Sequence, residues 1–300
     1  MPNNRHRCGV VGLGNMGRGI ARNLDRAGLL AAAWDINADA LTSCGLSENV
    51  AYGLEAVASC EIILFVVPGS PQIAELFGAG LLSGPSDRVF VDLTTSHPKA
   101  TRALASRAAQ AGAAYLDAGM TGGAAGAAAG TLTLMVGGDE IAFQRARPIL
   151  DQIAARIFHL GGSGTGHTMK LVHNMICHTI FLATAEGCRA AERAGIPLAR
   201  AVEVLNAGNA RSFVSERRFP DHIVSGIFDG RSHVGNLQKD LMMAAELFSQ
   251  LGQPSAYVTL TSQLLAIAGQ LGMTSEDFTR LYEHYDRLVE MHSRRCSGNG

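Results

Sequence analysis

A glycine-rich turn close to the N-terminus is the feature that most constrains the fold. Three glycines of this turn follow a short apolar run at residues 8–11 and precede a helical pattern. Glycines in this position form a tight turn and let a pyrophosphate approach the N–H groups at the start of a helix. Because the motif lies between a strand and a helix, it predicts a dinucleotide site. The site is expected to comprise Gly12, Gly14, Asn15, Met16 and Gly17.

An acidic residue, Asp35, ends the second predicted strand, about 20 residues after the glycines. A carboxylate at this position accepts hydrogen bonds from the ribose hydroxyls of the adenosine and would repel a 2′-phosphate. No Arg or Lys follows Asp35 within several residues to hold such a phosphate. We therefore expect NAD rather than NADP as the cofactor. The alternative interpretation is that Asp35 is the N-cap of a helix.

Short apolar runs alternate with Ala-rich helical patterns in the first half of the chain, which is typical of successive β–α units. Some runs, such as residues 62–67, are continuously apolar, as expected of strands that are covered on both faces. These patterns indicate an α/β fold with a doubly wound, mostly parallel sheet of the Rossmann type. The predicted strands span residues 8–11, 30–36, 61–67, 88–93, 114–119, 132–136 and 156–160.

The pattern changes after a glycine-rich segment at residues 161–164, beyond which only helices are predicted. We expect domains at 1–163, binding the dinucleotide, and 164–300, all-helical and joined by a long helix. The apolar spacing of that long helix predicts a buried stripe. The stripe consists of Met169, Val172, Ile176, Ile180 and Ala183, and the predicted helices span 165–193, 199–207, 233–251, 255–271 and 275–292.

Ligands of doubly wound sheets bind beyond the carboxyl ends of the strands. Val67, Pro68 and Thr95 follow two such ends and are predicted to border the cofactor, although residues 94–97 also fit an ordinary helix cap. Thr121, Gly122 and Gly123 follow another strand. Their hydroxyl and backbone N–H groups predict a site for a substrate carboxylate, with a flexible loop as the alternative.

Oxidation of an alcohol needs a base for the hydroxyl proton. Lys170 and Asn174 lie four residues apart on the long helix and share a face, and desolvation there would lower the pKa of the Lys170 amine. The alternative is an exposed lysine that only covers apolar surface. His178 shares this face, whereas His173 is assigned to a supporting role. No carboxylate on the helix completes a metal site, so no metal is expected.

Composition narrows the classes of partner. A formal net charge of −1 argues against binding to nucleic acid or to acidic membranes, and no apolar run is long enough to span a membrane. Six cysteines lack metal-site spacing, and no signal peptide precedes the first strand, so we expect reduced thiols and a cytoplasmic protein. The expected partners are a small molecule and further copies of the chain.

Five ordered segments resemble the 3-hydroxyisobutyrate dehydrogenase family of β-hydroxyacid dehydrogenases, which includes tartronate semialdehyde reductase and L-threonate dehydrogenase. The resemblance covers nearly the whole chain. The segments are GLGNMG at 12–17, VDLTTSHP at 91–98, DAGMTGGAAGAAAGTLT at 117–133, GGSGTGHTMKLVHN at 161–174 and LQKDL at 237–241.

The resemblance implies Lys170 as the catalytic residue, with Asn174 orienting the substrate. It also implies that Lys239 and Thr95 contact the cofactor and that Asp240 faces the substrate. A homodimer or homotetramer is implied as well, with a second domain like that of 6-phosphogluconate dehydrogenase. The chain departs from the family at Met120 and Thr121, where the family usually reads Val-Ser, and at His173; Arg211 is a candidate for binding a second anionic group.

We therefore expect an NAD-dependent oxidoreductase that interconverts a small 3-hydroxy acid and its semialdehyde, with Lys170 as general acid and base. One alternative is an NADPH-dependent reductase of imines or of the tartronate, succinic or glyoxylate semialdehydes; Lys170 argues against an imine reductase. Another alternative, of a different class, is a nucleotide-binding module without catalytic activity.

Overall fold

The computed structural model describes residues 8–297, with side chains as far as Arg294. The chain folds into two compact units, Met1–Lys170 and Leu171–Gly300. This division falls inside the long helix rather than in the glycine-rich segment before it, and the domain boundary between residues 163 and 164 stays a prediction. Among the described helices, none is both long and apolar enough to cross a membrane.

The first unit contains an eight-stranded sheet in the order β3-β2-β1-β4-β5-β6-β7-β8. All neighbouring strands are parallel except β6 and β7. The predicted doubly wound, mostly parallel sheet is therefore confirmed. The strands are β1 Cys8–Val11, β2 Leu30–Trp34, β3 Ala51–Tyr52, β4 Ile62–Phe65, β5 Val89–Asp92, β6 Ala114–Thr121, β7 Leu132–Gly137 and β8 Ala154–His159.

The central strands are buried along their whole length, as their continuous apolar sequences predict. On one side of the sheet, the Phe90 ring lies 5.8 Å from that of Phe65 and 5.0 Å from that of Phe77. Seven α-helices and a 3₁₀ turn, Leu81–Ser83, connect the described strands. The α-helices are α1 Gly17–Arg26, α2 Ala38–Ser43, α3 Leu54–Ala58, α4 Ser70–Gly78, α5 Pro98–Gln110, α6 Gly123–Ala129 and α7 Glu140–Leu150.

Helices make up the second unit, and α8, Thr165–Arg193, leads into it from the first. A cluster of aromatic rings, Phe181, Phe219, Phe278 and Tyr282, lies at its core. The remaining helices are α9 Leu198–Ala207, a π-helical segment Val214–Val224, α10 Val234–Gln250, α11 Ala256–Gln270, two 3₁₀ turns at Met273–Ser275 and Phe278–Tyr282, and α12 Tyr285–Ser297.

The predicted buried stripe of α8 is wrong. Met169 and Ile176 are 39% and 46% exposed, whereas Leu171, Phe181 and Ala185 are almost fully buried. Both faces of this helix carry apolar residues at helical spacing, so periodicity alone could not identify the face that packs against α10 and α11. An apolar face of α8 is thus left on the surface of the single chain.

The cysteines whose side chains are described form no disulfide with one another; they are Cys8, Cys44, Cys60, Cys177 and Cys188. Burial raises the pKa of the Cys188 thiol to about 11. The side chain of Cys296, the sixth cysteine, lies outside the described residues. The cysteines that are described therefore contribute to packing without crosslinking the chain.

Candidate active site

The glycine-rich turn joins β1 to α1, and its shape depends on residues without a side chain. Gly12 has a φ of +95°, and a Cβ there would collide with the carbonyl oxygen of Val66. A Cβ on Gly17 would collide with the carbonyl oxygen of Gly12. Gly14 has open space around it instead, because a Cβ there would meet no atom within 4 Å. The turn is thus tight on its inner side and open toward a ligand.

Asp35 follows β2 and holds this turn. Its Oδ2 accepts a hydrogen bond from the backbone N–H of Leu13 (2.6 Å), and its Oδ1 accepts one from that of Asn37 (2.8 Å). A carboxylate has about four lone-pair sites, so acceptor capacity remains for ribose hydroxyls. The N-cap of α2 is Asn37, whose side chain accepts from the N–H of Asp39. The alternative interpretation of Asp35 as that N-cap is therefore wrong.

The ends of β4 and β5 lie at the same edge of the sheet as the glycine turn, since both strands run parallel to β1. Val67 is in contact range of the turn: its Cγ1 lies 3.2 Å from the position that a Cβ on Gly12 would take. Pro68 is exposed, and Thr95 is half-buried just beyond β5. The N-cap of α5 is His97, whose ring accepts from the N–H of Lys99.

These residues fit a dinucleotide. The strand order reverses on either side of β1, so a crevice opens between the loops that follow β1 and β4, where such sheets bind nucleotides. The open side of Gly14 admits a pyrophosphate to the first N–H groups of α1, and Asp35 lies at the end of the neighbouring strand β2.

Thr121 is the last residue of β6, Gly122 is the N-cap of α6, and Gly123 is the first residue of that helix. The residues up to Gly130 therefore form a short helix rather than the flexible loop considered as the alternative. Helix α6 packs closely on α1, because a Cβ on Gly19 would lie 2.7 Å from the backbone nitrogen of Ala128. The first N–H groups of a helix lack partners within it, so this turn can receive a carboxylate.

Lys170 is nearly buried, with 9% of its surface exposed. A Cβ added to Gly119 would lie only 2.5 Å from the Cβ of Lys170. Residue 119 must therefore be a glycine for α8 to lie this close to β6. Gly119 precedes Thr121 by two residues on the same strand. The predicted catalytic lysine therefore lies against β6, the strand that ends at Thr121, the first of the predicted carboxylate-binding residues.

Asp117 is a further residue of this arrangement for which sequence reasoning gave no role. It is fully buried on β6, where its Oδ1 accepts from the N–H of Gly164 (2.7 Å) and its Oδ2 from the N–H of His167 (2.8 Å). Asp117 therefore fixes the first turn of α8, which carries Lys170. The available signal was a carboxylate within an otherwise apolar strand sequence, YLDAG at 115–119.

A buried polar network lies behind this first turn. His167 is fully buried, and its Nδ1 lies 2.7 Å from Oγ1 of Thr101. The hydroxyl of Tyr115 donates to Oδ2 of Asp92 (2.7 Å), and burial together with this carboxylate raises the pKa of Tyr115 well above its ordinary value. Nε2 of His167 has no hydrogen-bond partner among the described residues and lies 3.9 Å from Oδ1 of Asp92. Because its bonded nitrogen contacts Thr101 of α5 in the buried interior, we assign His167 a structural role.

The remaining predicted residues belong to the helical unit. Asn174 is buried, and its amide nitrogen donates to Oδ2 of Asp240 (2.7 Å), while Nδ1 of His173 lies 3.1 Å from its Oδ1. Nζ of Lys239 lies 3.6 Å from Oδ1 of Asp240. Asn174 is thus held from both sides, with His173 in the supporting position expected of it. Within residues 8–297, no group of three or more His, Cys, Asp or Glu side chains is arranged to hold a metal ion.

Three other residues of interest differ in their surroundings. Met120 is half-buried and packs against the core of the first unit. His178 is half-buried on α8. Arg211 is 63% exposed and forms an ion pair with Glu216 at 3.5 Å.

Both halves of the chain match known families. Residues 7–161 match the family described as the NAD binding domain of 6-phosphogluconate dehydrogenase. Residues 164–285 match the family described as NAD-binding of NADP-dependent 3-hydroxyisobutyrate dehydrogenase.

Individual proteins are similar over almost their whole length. L-threonate dehydrogenase of Escherichia coli K12 is 32% identical, covering 90% of this chain and 91% of that protein. 2-(Hydroxymethyl)glutarate dehydrogenase of Eubacterium barkeri is 28% identical, covering 94% and 96%. The structure of a Mycobacterium tuberculosis 3-hydroxyisobutyrate dehydrogenase with L-serine is 26% identical with a TM-score of 0.83, covering 93% of this chain and 98% of that one.

Proposed function

This chain belongs to the 3-hydroxyisobutyrate dehydrogenase family of NAD(P)-dependent hydroxyacid dehydrogenases, and we propose that it interconverts a small 3-hydroxy acid and its semialdehyde. The observation that carries this proposal is the position of Lys170, a nearly buried lysine held against β6 two residues before Thr121. We further propose residues 1–163 as the NAD-binding domain and 164–300 as the substrate domain.

In the oxidation, the amine of Lys170 accepts the proton of the substrate hydroxyl as the carbon–hydrogen bond breaks. A bound nicotinamide supplies the acceptor for the hydride. In the reverse direction, the ammonium of Lys170 returns the proton to the carbonyl oxygen. Burial keeps water from competing for this proton, and the contact with Gly119 limits the rotamers of the lysine stem.

Asn174 and Asp240 orient the substrate. One N–H of the Asn174 amide donates to Asp240, which leaves the second N–H for a substrate oxygen. At the start of α6, the Thr121 hydroxyl and the N–H groups of Gly122 and Gly123 bind the substrate carboxylate. Lys239 is assigned to the cofactor on the family resemblance.

The experiment that tests this function is an activity screen with NAD and NADP. The panel comprises 3-hydroxyisobutyrate, L-serine, glycerate, L-threonate, 4-hydroxybutyrate, 2-(hydroxymethyl)glutarate, the matching semialdehydes and one cyclic imine, and turnover is followed by nicotinamide absorbance. We expect turnover of at least one 3-hydroxy acid. Reduction of a cyclic imine alone would favour an imine reductase, and a rise in melting temperature with NAD but without any turnover would favour a nucleotide-binding module.

We propose NAD as the preferred cofactor because Asp35 places a negative charge where the 2′-phosphate of NADP would lie. The description of the family that matches residues 164–285 names NADP, so the preference needs a direct test. Asp35→Ser is expected to lower the ratio of kcat/KM for NAD to that for NADP by about tenfold or more. The change should include a gain with NADP, since a repulsive charge is removed.

Asp39→Ser is the matched control, because Asp39 is an exposed carboxylate of the neighbouring helix α2. It should leave the cofactor ratio unchanged. An equal loss with both cofactors in Asp35→Ser would contradict the proposed role and leave only the support that Asp35 gives to the glycine turn.

A homodimer or homotetramer is proposed as well, supported by the exposed apolar face of α8 at Met169 and Ile176.

A further inference from the structure

Helix α8 begins without a capping side chain from its own sequence. Gly164, which precedes it, has a φ of +91° and no side chain, and the hydroxyl of Thr165 donates to the carbonyl of Gly162 (2.9 Å). The first N–H groups of a helix need acceptors from outside it. Here the acceptor is the carboxylate of Asp117, which lies 47 residues before Gly164 and bonds the N–H groups of Gly164 and His167. Strand β6 therefore holds the start of α8.

This carboxylate is closely surrounded. A Cβ on Gly166 would lie 2.9 Å from Oδ2 of Asp117 and 2.3 Å from the carbonyl oxygen of Met135 on β7. A Cβ on Gly137, also on β7, would lie 2.8 Å from Oδ1 of Asp117. Glycines at both positions thus let the helix, the carboxylate and the strands pack directly against one another. The Asp117 side chain consequently has little freedom to follow a helix that moves.

The spacing of strand and helix relates Asp117 to Lys170. Side chains alternate along a strand, so Asp117, Gly119 and Thr121 lie on one face of β6. Gly166 and Lys170 are four residues apart and share a face of α8. The first of them packs against Asp117 and the second against Gly119. Two residues of a strand span about 6.6 Å and four of a helix about 6 Å, so the two contacts match in length. The bonds at Asp117 therefore determine which part of β6 the lysine contacts.

We propose that Asp117 is a positioning residue for catalysis. By holding the first turn of α8 on β6, its carboxylate sets the distance between the Lys170 amine and the substrate hydroxyl. Every residue of this arrangement belongs to the first unit. A carboxylate suits the role because both of its oxygens accept hydrogen bonds from N–H groups. The inference rests on the proposed function, in which Lys170 transfers the proton.

The first test is the substitution Asp117→Asn, which keeps the size of the side chain but replaces one acceptor oxygen by an amide group. The N–H group facing that amide loses its acceptor, so the first turn of α8 shifts. A displacement of about 1 Å can cost about 100-fold in rate, and we expect kcat to fall by about 10- to 100-fold. The Kd for NADH should change little. Asp117→Ala removes both acceptors and should lower kcat further, and both variants are assayed well below their melting temperatures.

The second test repeats Asp117→Asn in the Lys170→Met enzyme. If Asp117 acts through the lysine amine, its loss has no further target there, and kcat should fall by less than about twofold. A role confined to the stability of the fold would not depend on the amine. It would lower kcat by the same factor in both enzymes. The 3-hydroxy acid identified by the activity screen serves as the substrate.

Asp139→Ala is the matched control, because Asp139 is the carboxylate cap of another helix, α7, where its Oδ1 accepts from the N–H of Ala142 (2.9 Å). It should leave kcat unchanged. An unchanged kcat in Asp117→Asn overturns the inference alone, as does an equal loss with and without the Lys170 amine. Full turnover in Lys170→Met rejects the proposed role of the lysine and this inference together.

Discussion

Replacing Lys170 by Met is expected to lower kcat by about 10²- to 10⁴-fold, the range that a positioned proton-transfer group contributes. The methionine side chain keeps most of the buried volume of the lysine stem but carries no amine, so the hydroxyl proton loses its acceptor. The affinity for NADH should change little, because the substitution leaves the glycine turn and Asp35, the proposed dinucleotide site, unaltered. Steady-state kinetics and a fluorescence titration with NADH measure the two effects separately.

Lys99→Met provides the matched control, since Lys99 is an exposed lysine on α5. It should keep the activity of the unaltered enzyme. Lys170→Arg is expected to remain nearly inactive despite its positive charge, because a guanidinium does not give up a proton near neutral pH. Full turnover in Lys170→Met would refute the assignment of the proton acceptor.

Gly17→Ala is expected to abolish dinucleotide binding and to lower the free energy of unfolding by about 3 kcal/mol. The added Cβ would collide with the carbonyl oxygen of Gly12, a backbone atom that cannot rotate away. Relief requires moving Gly12, whose own positive φ and contact with Val66 leave it little freedom. Urea denaturation and a thermal-shift titration with NAD measure the two losses.

Two other glycines separate the cofactor effect from the folding effect. Gly14→Ala should keep the stability of the free protein, because a Cβ there meets no atom within 4 Å, and yet weaken NAD binding by filling the space left for the pyrophosphate. Gly78→Ala, also without a neighbour within 4 Å, should change neither property. Normal NAD affinity in Gly14→Ala would contradict the position assigned to the pyrophosphate.

Much of the first unit could be predicted because its strands are buried on both faces and therefore read as unbroken apolar runs. The bounds of β1 agree with the prediction, and the other predicted strands differ by a few residues at their ends. β3 was missed since it has two residues, Ala51 and Tyr52, which are both exposed. A strand that short has no hydrophobic pattern to detect.

The helical unit was harder to predict in detail. The π-helical segment Val214–Val224 was missed, and it contains Pro220, which argues against a helix when only the sequence is known. The helix predicted at 275–292 is divided into a 3₁₀ turn, Phe278–Tyr282, and α12. Whether a chain breaks at such a point depends on the packing of Phe278 and Tyr282 into the aromatic core, which local sequence does not specify.

In the candidate site, too, some residues could be identified from the sequence and others only from the structure. The roles proposed for the glycine turn and Lys170 follow from residue type and spacing, which the sequence shows directly. The role of Asp117 could not be predicted, because it depends on the backbone N–H groups of Gly164 and His167 that surround its carboxylate. Such surroundings come from distant parts of the chain.

The hydrogen bond from Leu13 to Asp35 also bears on the energetics of cofactor capture. A flexible glycine segment would lose conformational entropy each time a nucleotide docks, and that loss would be subtracted from the affinity. Here folding has already ordered the segment through Asp35, so the arriving ligand meets a preorganised receptor. Docking should therefore resemble a rigid lock-and-key encounter more than an induced fit.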